Sequence, residues 1–102
     1  MASLEALVAS DPDDPDLHYN LGVFYLNAQR HEEAFASFDR VRELDPERVD
    51  VLYLLGTPSL NLGELDRAVG FFESYLEAAP EDGQYRATAE NLVQQFRPPA
   101  QD

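Results

Sequence analysis

Apolar residues recur along the chain at steps of three and four, and the stripes they form break at prolines, glycines and short polar runs. Leu17, Leu21, Phe24, Tyr25 and Ala28 fall on one face of a helix at that spacing. Asp14 is a good N-cap for it, with Pro15 at the first helical position, where a missing N–H leaves no carbonyl unpaired. The polar run Asn27, Ala28, Gln29, Arg30 predicts a turn. A second stripe follows, made of Ala34, Phe35, Phe38, Val41 and Leu44 and ended by Asp45 and Pro46. The pair then repeats: Val51, Leu52, Leu55 and Leu62 predict one helix, Gly63 a turn, and Leu65, Ala68, Val69, Phe72, Tyr75 and Leu76 a second helix. Proline disfavours the helical conformation in the residue before it, so Asp45 and Ala79 are the natural ends of the two second helices.

The repetition has a fixed period. Aligning Pro15–Arg48 with Val49–Asp82 pairs Asp16 with Asp50, Tyr19 with Tyr53, Gly22 with Gly56, Asn27 with Asn61, Ala34 with Ala68 and Phe38 with Phe72. In all, 11 of 34 aligned positions are identical, where average composition gives roughly 2. Prolines stand one period apart at 12, 46 and 80. A period of this length marks a solenoid of helical hairpins.

The residues at fixed offsets resemble the tetratricopeptide repeat, whose pattern is W-x2-L-G-x2-Y, then A-x3-F, then P. The chain offers His18, Leu21, Gly22, Tyr25, Ala34, Phe38 and Pro46, and then Leu52, Leu55, Gly56, Ser59, Ala68, Phe72 and Pro80. It departs from the pattern at His18 and Leu52 in the tryptophan slot, at Ser59 in the tyrosine slot, and at Pro58 inside a helix. The resemblance implies an all-α fold, a right-handed α-solenoid of antiparallel helix pairs. Residues 1–102 then read as one domain: a partial preceding helix over 3–11, repeats over 15–48 and 49–82, a capping helix over 83–96 and a tail over 97–102. In that arrangement the small residues at 22, 34, 56 and 68 allow close approach of paired helices, and Phe38 and Phe72 fill the space between hairpins. The capping helix carries Tyr85, Ala89, Leu92, Val93 and Phe96 on its apolar face, with Arg86 and Glu90 where the pattern has an aromatic and a glycine. A polar outer face of this kind keeps the end of a solenoid soluble.

Charge narrows the partners. The chain carries 20 acidic against 7 basic side chains, all of them arginine, for a net −13. That field repels nucleic acid and anionic membrane surfaces, so neither is expected as a partner. There is no cysteine, hence no disulfide or thiolate chemistry. No apolar run approaches the roughly 18 residues that span a bilayer. The first residues, Met1 to Glu5, lack the basic start of a secretory signal, so a cytoplasmic setting is expected.

Candidate chemistry is sparse. His18 and His31 stand on different helices without a third ligand, and the acidic run Asp11 to Asp16 lacks the alternate spacing and turn glycine of a calcium loop. No serine sits in a nucleophile setting and no glycine cluster forms a phosphate loop. The chain therefore reads as no enzyme, with no catalytic residue, cofactor or metal. What remains is a binding face. In tetratricopeptide arrays the first helix of each hairpin lines the concave surface, where partner peptides lie. The resemblance places Asp16, Tyr19, Asn20, Val23, Leu26 and Asn27 there from the first repeat. It adds Asp50, Tyr53, Leu54, Thr57, Leu60 and Asn61 from the second, and Gln84, Thr88, Asn91 and Gln95 from the cap.

Asparagine is mediocre inside helices. Asn27 and Asn61 therefore either help form the turns or hold the backbone of an extended peptide while Tyr19 and Tyr53 pack its side chains. Domains of this family that clamp acidic chaperone tails do so with lysine, arginine and asparagine. Tyr19, Val23 and Leu54 occupy the corresponding positions here, so a peptide partner is expected to be neutral or basic. The alternative is structural: homo-oligomeric self-association through the solenoid ends, with Leu4, Leu7 and Val8 as the apolar contribution of the N-terminal half-repeat. Pro58 is expected to bend its helix or break it near Gly56 and Thr57.

Overall fold

The computed structural model describes residues 3–96. It contains six helices in that span: α1 (Leu4–Ser10), α2 (Pro15–Asn27), α3 (His31–Leu44), α4 (Asp50–Asn61), α5 (Leu65–Ala78) and α6 (Arg86–Phe96). Each helix packs on its neighbours in chain order. The stack is extended along one axis, 56 × 27 × 18 Å, as a helical-repeat solenoid requires. The expected tail over 97–102 lies outside the described residues.

Local chemistry sets the helix ends. The Asp14 carboxylate accepts from the Asp16 N–H at 2.9 Å and caps α2, with Pro15 at its first position. Ser3 caps α1 in the same way, its Oγ accepting from the Ala6 N–H at 3.1 Å. Ala79, held extended before Pro80, ends α5. The α2–α3 and α4–α5 turns share one backbone design. Arg30 N–H donates to Tyr25 O at 2.8 Å and Glu64 N–H to Ser59 O at 2.9 Å, while Gln29 and Gly63 take the left-handed conformation at φ 61° and 81°. This six-to-one closure satisfies helix-end carbonyls through the main chain. Among the described residues the side chains of Asn27 and Asn61 make no hydrogen bond, so these amides do not build the turns.

Inside each hairpin the glycine–phenylalanine contact is as tight as the pattern predicts. A Cβ on Gly22 would lie 2.6 Å from Phe38 Cε1, and one on Gly56 would lie 2.5 Å from Phe72 Cε1. Phe38 and Phe72 are fully buried against the glycine of their own hairpin. Ala34, Val41, Val51 and Leu55 join Phe38 in one core, and Ala68, Tyr75, Ala89 and Val93 join Phe72 in the other. His18 fills the tryptophan slot as a buried ring whose Nε2 lies 2.7 Å from the Pro12 carbonyl.

Four features differ from the pattern's forecast. Helix α4 runs through Pro58 without a break, and the ring is fully buried. The hydroxyls on either side turn back onto the helix, Thr57 Oγ1 to Tyr53 O at 3.4 Å and Ser59 Oγ to Leu55 O at 3.0 Å, so α4 carries extra bonds around its proline. The cap helix starts at Arg86 rather than near Gln84, because residues 80–85 form a turn closed by Gly83 N–H to Pro80 O at 2.9 Å. Phe24, read as a core position, is 52% exposed. Leu54, read as a groove position, is buried with Val51 and Leu55.

Candidate functional site

The residues assigned to the concave face divide into a packed aromatic cluster and a set of free polar side chains. The cluster begins at Tyr19 on α2, whose ring meets Phe38 edge-on at 6.0 Å. Arg48, in the α3–α4 loop, lays its guanidinium over the Tyr19 ring at 5.3 Å and bonds Asp16 at 2.5 Å. Tyr53 on α4 leans on Phe72 and Tyr75, and its other face is covered by Tyr85, stacked at 4.3 Å with the rings 4° from parallel. The Tyr85 backbone N–H donates to the Tyr75 hydroxyl at 3.1 Å, which fixes the turn that delivers the ring. Tyr85 also approaches the Tyr19 hydroxyl, so three phenols from three successive structural units meet on one face.

Two of these phenols, Tyr19 and Tyr53, resist ionisation. Burial raises the Tyr19 pKa first, and the nearby Asp50 carboxylate and Tyr85 add to it against the opposing pull of Arg48. Burial likewise raises Tyr53, with Tyr85 contributing. The Arg48 guanidinium is held even more firmly charged by its hydrogen bond to Asp16. The cluster thus offers neutral hydroxyl donors around one neutralised cation at neutral pH.

The remaining assigned residues behave differently. Asn20, Asn27, Asn61 and Asn91 are exposed, and among the described residues their amides have no partner. Val23 is half-buried against the first core, Asp50 is half-buried near Tyr19, and Thr57 spends its hydroxyl on its own helix. Leu54 retains 7% of its surface and has little to offer a partner. The structure brings Asp16, Tyr19, Asp50 and Tyr53 together through Arg48 and Tyr85, while Asn91 stands exposed on α6.

Two members of the site carry no periodic signal. Arg48 lies in a loop, and Tyr85 stands 32 rather than 34 residues after Tyr53. Only the irregular 80–85 turn brings Tyr85 into register with the ladder. The cap itself is anchored by Arg86, whose Nη1 donates to the Leu76 and Ala79 carbonyls at 3.0 and 3.2 Å and whose Nε pairs with Glu90 at 3.4 Å. No group of three potential metal ligands comes together among the described residues. No helix among them is long and apolar enough to cross a membrane.

Comparison with known proteins places this geometry. Two sequence profiles described as tetratricopeptide repeat match the chain, one over residues 2–48 and one over residues 28–92. A search of curated proteins finds no match. Among solved structures, the second TPR domain of human RPAP3, determined by NMR in complex with the HSP70 peptide SGPTIEEVD, is similar with a TM-score of 0.79 at 25% identity. The match covers 94% of this chain and 77% of that one. MamA from AMB-1 is similar with a TM-score of 0.74 at 28% identity, over 90% of this chain and 50% of that one. MamA from MSR-1 gives 0.71 at 27% identity, over 92% and 60%. The chain thus spans only about half of the MamA chains it resembles.

Proposed function

Because the chain belongs to the tetratricopeptide repeat family, we propose that it is a non-enzymatic protein–protein interaction module that holds a neutral or basic peptide, or a protein surface of that character, along its concave face. The observation that carries this reading is the pair of exposed, unpartnered amides, Asn27 and Asn61, one period apart and each at the end of the helix that carries Tyr19 or Tyr53. A carboxamide carries both donor and acceptor, so successive amides can bond the main chain of an extended ligand without reading its side chains. Tyr19 and Tyr85 supply rigid, amphipathic surface in the tyrosine cluster, the kind of residue that concentrates binding energy.

The RPAP3 domain is in complex with a peptide that ends in Glu-Glu-Val-Asp. This chain has no lysine anywhere, and its nearby cation, Arg48, is already committed to Asp16. An acidic tail therefore meets a −13 chain whose nearby cation, Arg48, already holds Asp16, which is why a neutral or basic ligand fits better. The reading places the module in the cytoplasm.

Calorimetric titration with extended peptides of matched length and graded charge tests this. Basic and neutral peptides are expected to bind, SGPTIEEVD is not, and affinity for the basic ones should fall as salt rises and the Debye length shrinks to about 8 Å. Asn27→Ala combined with Asn61→Ala should weaken binding without changing the fold. Preference for the acidic peptide, or affinity that grows with salt, would overturn the proposal.

A further inference from the structure

The two repeats treat one carboxylate differently. Asp16 and Asp50 stand one period apart, each in the first turn of its helix, α2 or α4. In the first repeat the chain supplies the counter-charge itself. Arg48, from the α3–α4 loop, bonds Asp16 at 2.5 Å and lies over the Tyr19 ring at 5.3 Å. One period after Arg48 the chain has Asp82, an exposed acid. Tyr53 is accordingly covered by the stacked Tyr85 ring and not by a guanidinium. Asp50 is half-buried, and among the described residues its carboxylate makes no hydrogen bond and no ion pair.

Arg48 cannot serve for both. Its Nε also pairs with Asp45 at 3.5 Å, and the Asp50 carboxylate acts on the same charge. Three carboxylates therefore share one guanidinium, which leaves two negative charges unbalanced beside the half-buried rings of Tyr19 and Tyr85. The other arginine near this cluster, Arg86, is spent on the Leu76 and Ala79 carbonyls and on Glu90. A carboxylate beside aromatic surface suits a guanidinium in particular. That group is planar and weakly hydrated, so it can lie on a ring and still direct its N–H groups at a carboxylate.

Resting on the reading of this face as a peptide site, we propose that Asp50 anchors an arginine side chain of the partner, whose guanidinium packs against the tyrosine cluster at Tyr19 and Tyr85 as Arg48 packs on Tyr19. The partner supplies in trans the cation that Asp82 fails to supply from within the chain. A neutral side chain would leave the half-buried carboxylate without a bond, and an acidic one would add to the unbalanced charge. The anchor and the amides serve different parts of a ligand. Asn61 lies at the far end of α4 from Asp50, about 16 Å away at 1.5 Å per residue.

NMR titration of the intact chain with the blocked amino acid N-acetyl-arginine N-methylamide tests the anchor apart from the peptide reading. The ring signals of Tyr19 and Tyr85 are expected to shift together and to saturate with a Kd of about 1 mM. The citrulline analogue, alike in shape but uncharged, should bind at least roughly tenfold more weakly, and the lysine analogue at least roughly threefold. Asp50→Asn should weaken the arginine probe at least about tenfold, whereas Arg48→Gln, which removes a nearby competing cation, should tighten it at least about threefold. The Arg48 variant decides the matter if Asp50→Asn does not fold. Asn27→Ala with Asn61→Ala should leave the probe's affinity unchanged. An arginine probe held no better than the citrulline or lysine analogue, or one that Asp50→Asn leaves at full strength or Arg48→Gln weakens, would overturn the proposal. Neutral peptides that still bound in calorimetry would then leave the broader reading standing. An arginine probe held at Asp50 with no extended peptide bound would instead support the anchor and overturn the broader reading.

Discussion

Phe24 and Pro58 stand one period apart on α2 and α4 and meet opposite environments, the first half exposed and the second fully buried. Their hairpins are otherwise near copies. Gly22 meets Phe38 as Gly56 meets Phe72, and the two turns close through the same main-chain bonds. The comparison teaches that a repeat's internal packing is its own property, whereas the state of its outward face depends on whether a complete neighbour covers it. That is how a quasi-one-dimensional array behaves, with intrinsic repeat stability and nearest-neighbour terms kept separate. The second repeat has α3 on one side and the cap on the other. Among the described residues the first has α1, of two turns, on its other side.

The equality inside the hairpins can be broken most directly at the buried rings. Phe38→Ala and Phe72→Ala should each lower stability by about 4 kcal/mol in urea unfolding, because each leaves a cavity against a glycine that cannot fill it. Losses that differ by more than about 2 kcal/mol, the ordinary scatter of such series, would show the two hairpins are not equivalent within.

The inequality of the outward faces is sharpened by exchanging residues. Pro58→Phe puts the first-repeat residue at a fully buried position and should cost about 3 kcal/mol by overpacking. Phe24→Ser removes an exposed ring and should change the melting free energy by only about 0.5 kcal/mol. Similar effects at both sites would mean that coverage does not set the difference.

The turns give a smaller, reciprocal test. Gln29 holds the left-handed conformation that Gly63 holds one period later. Gln29→Gly should add about 1 kcal/mol of stability and Gly63→Gln should remove about as much, measured by thermal unfolding. Equal signs for the two changes would contradict a shared turn geometry.

The weakest effect is in pH. Tyr19, Tyr25 and Tyr53 all have pKa values raised by burial, Tyr25 also through its bond to Glu5. A raised value means the folded state favours the protonated phenol. That stability is complete below the unfolded value of about 10 and is lost as pH rises through and beyond it. The unfolding midpoint should therefore fall above pH 10, and Tyr25→Phe should reduce the slope.

Much of this was written in the order of residues. The 34-residue period, the Asp14 and Pro15 start of α2, the glycine–phenylalanine contacts and the ends at Asp45 and Ala79 follow from spacing and local chemistry. Each needs only neighbours in sequence or one period away. The positions that misled are those where a third element decides. Periodicity alone put Phe24 in a core, but in the structure it is 52% exposed, while Pro58 one period later is buried. Leu54 shares its position with Asn20, yet α4 is covered where α2 is not, so one is buried and the other exposed. Tyr85 and Arg48 reach the tyrosine cluster from irregular loops that have no period to read. Pro58 stays inside an unbroken α4, where the hydroxyls on either side bond back to the carbonyls of the preceding turn. Sequence by itself determined the repeat, its hairpin and its charge, since these rest on local bonding and composition. The tertiary structure alone decided which faces are covered, because burial belongs to pairs of elements that the linear pattern does not specify.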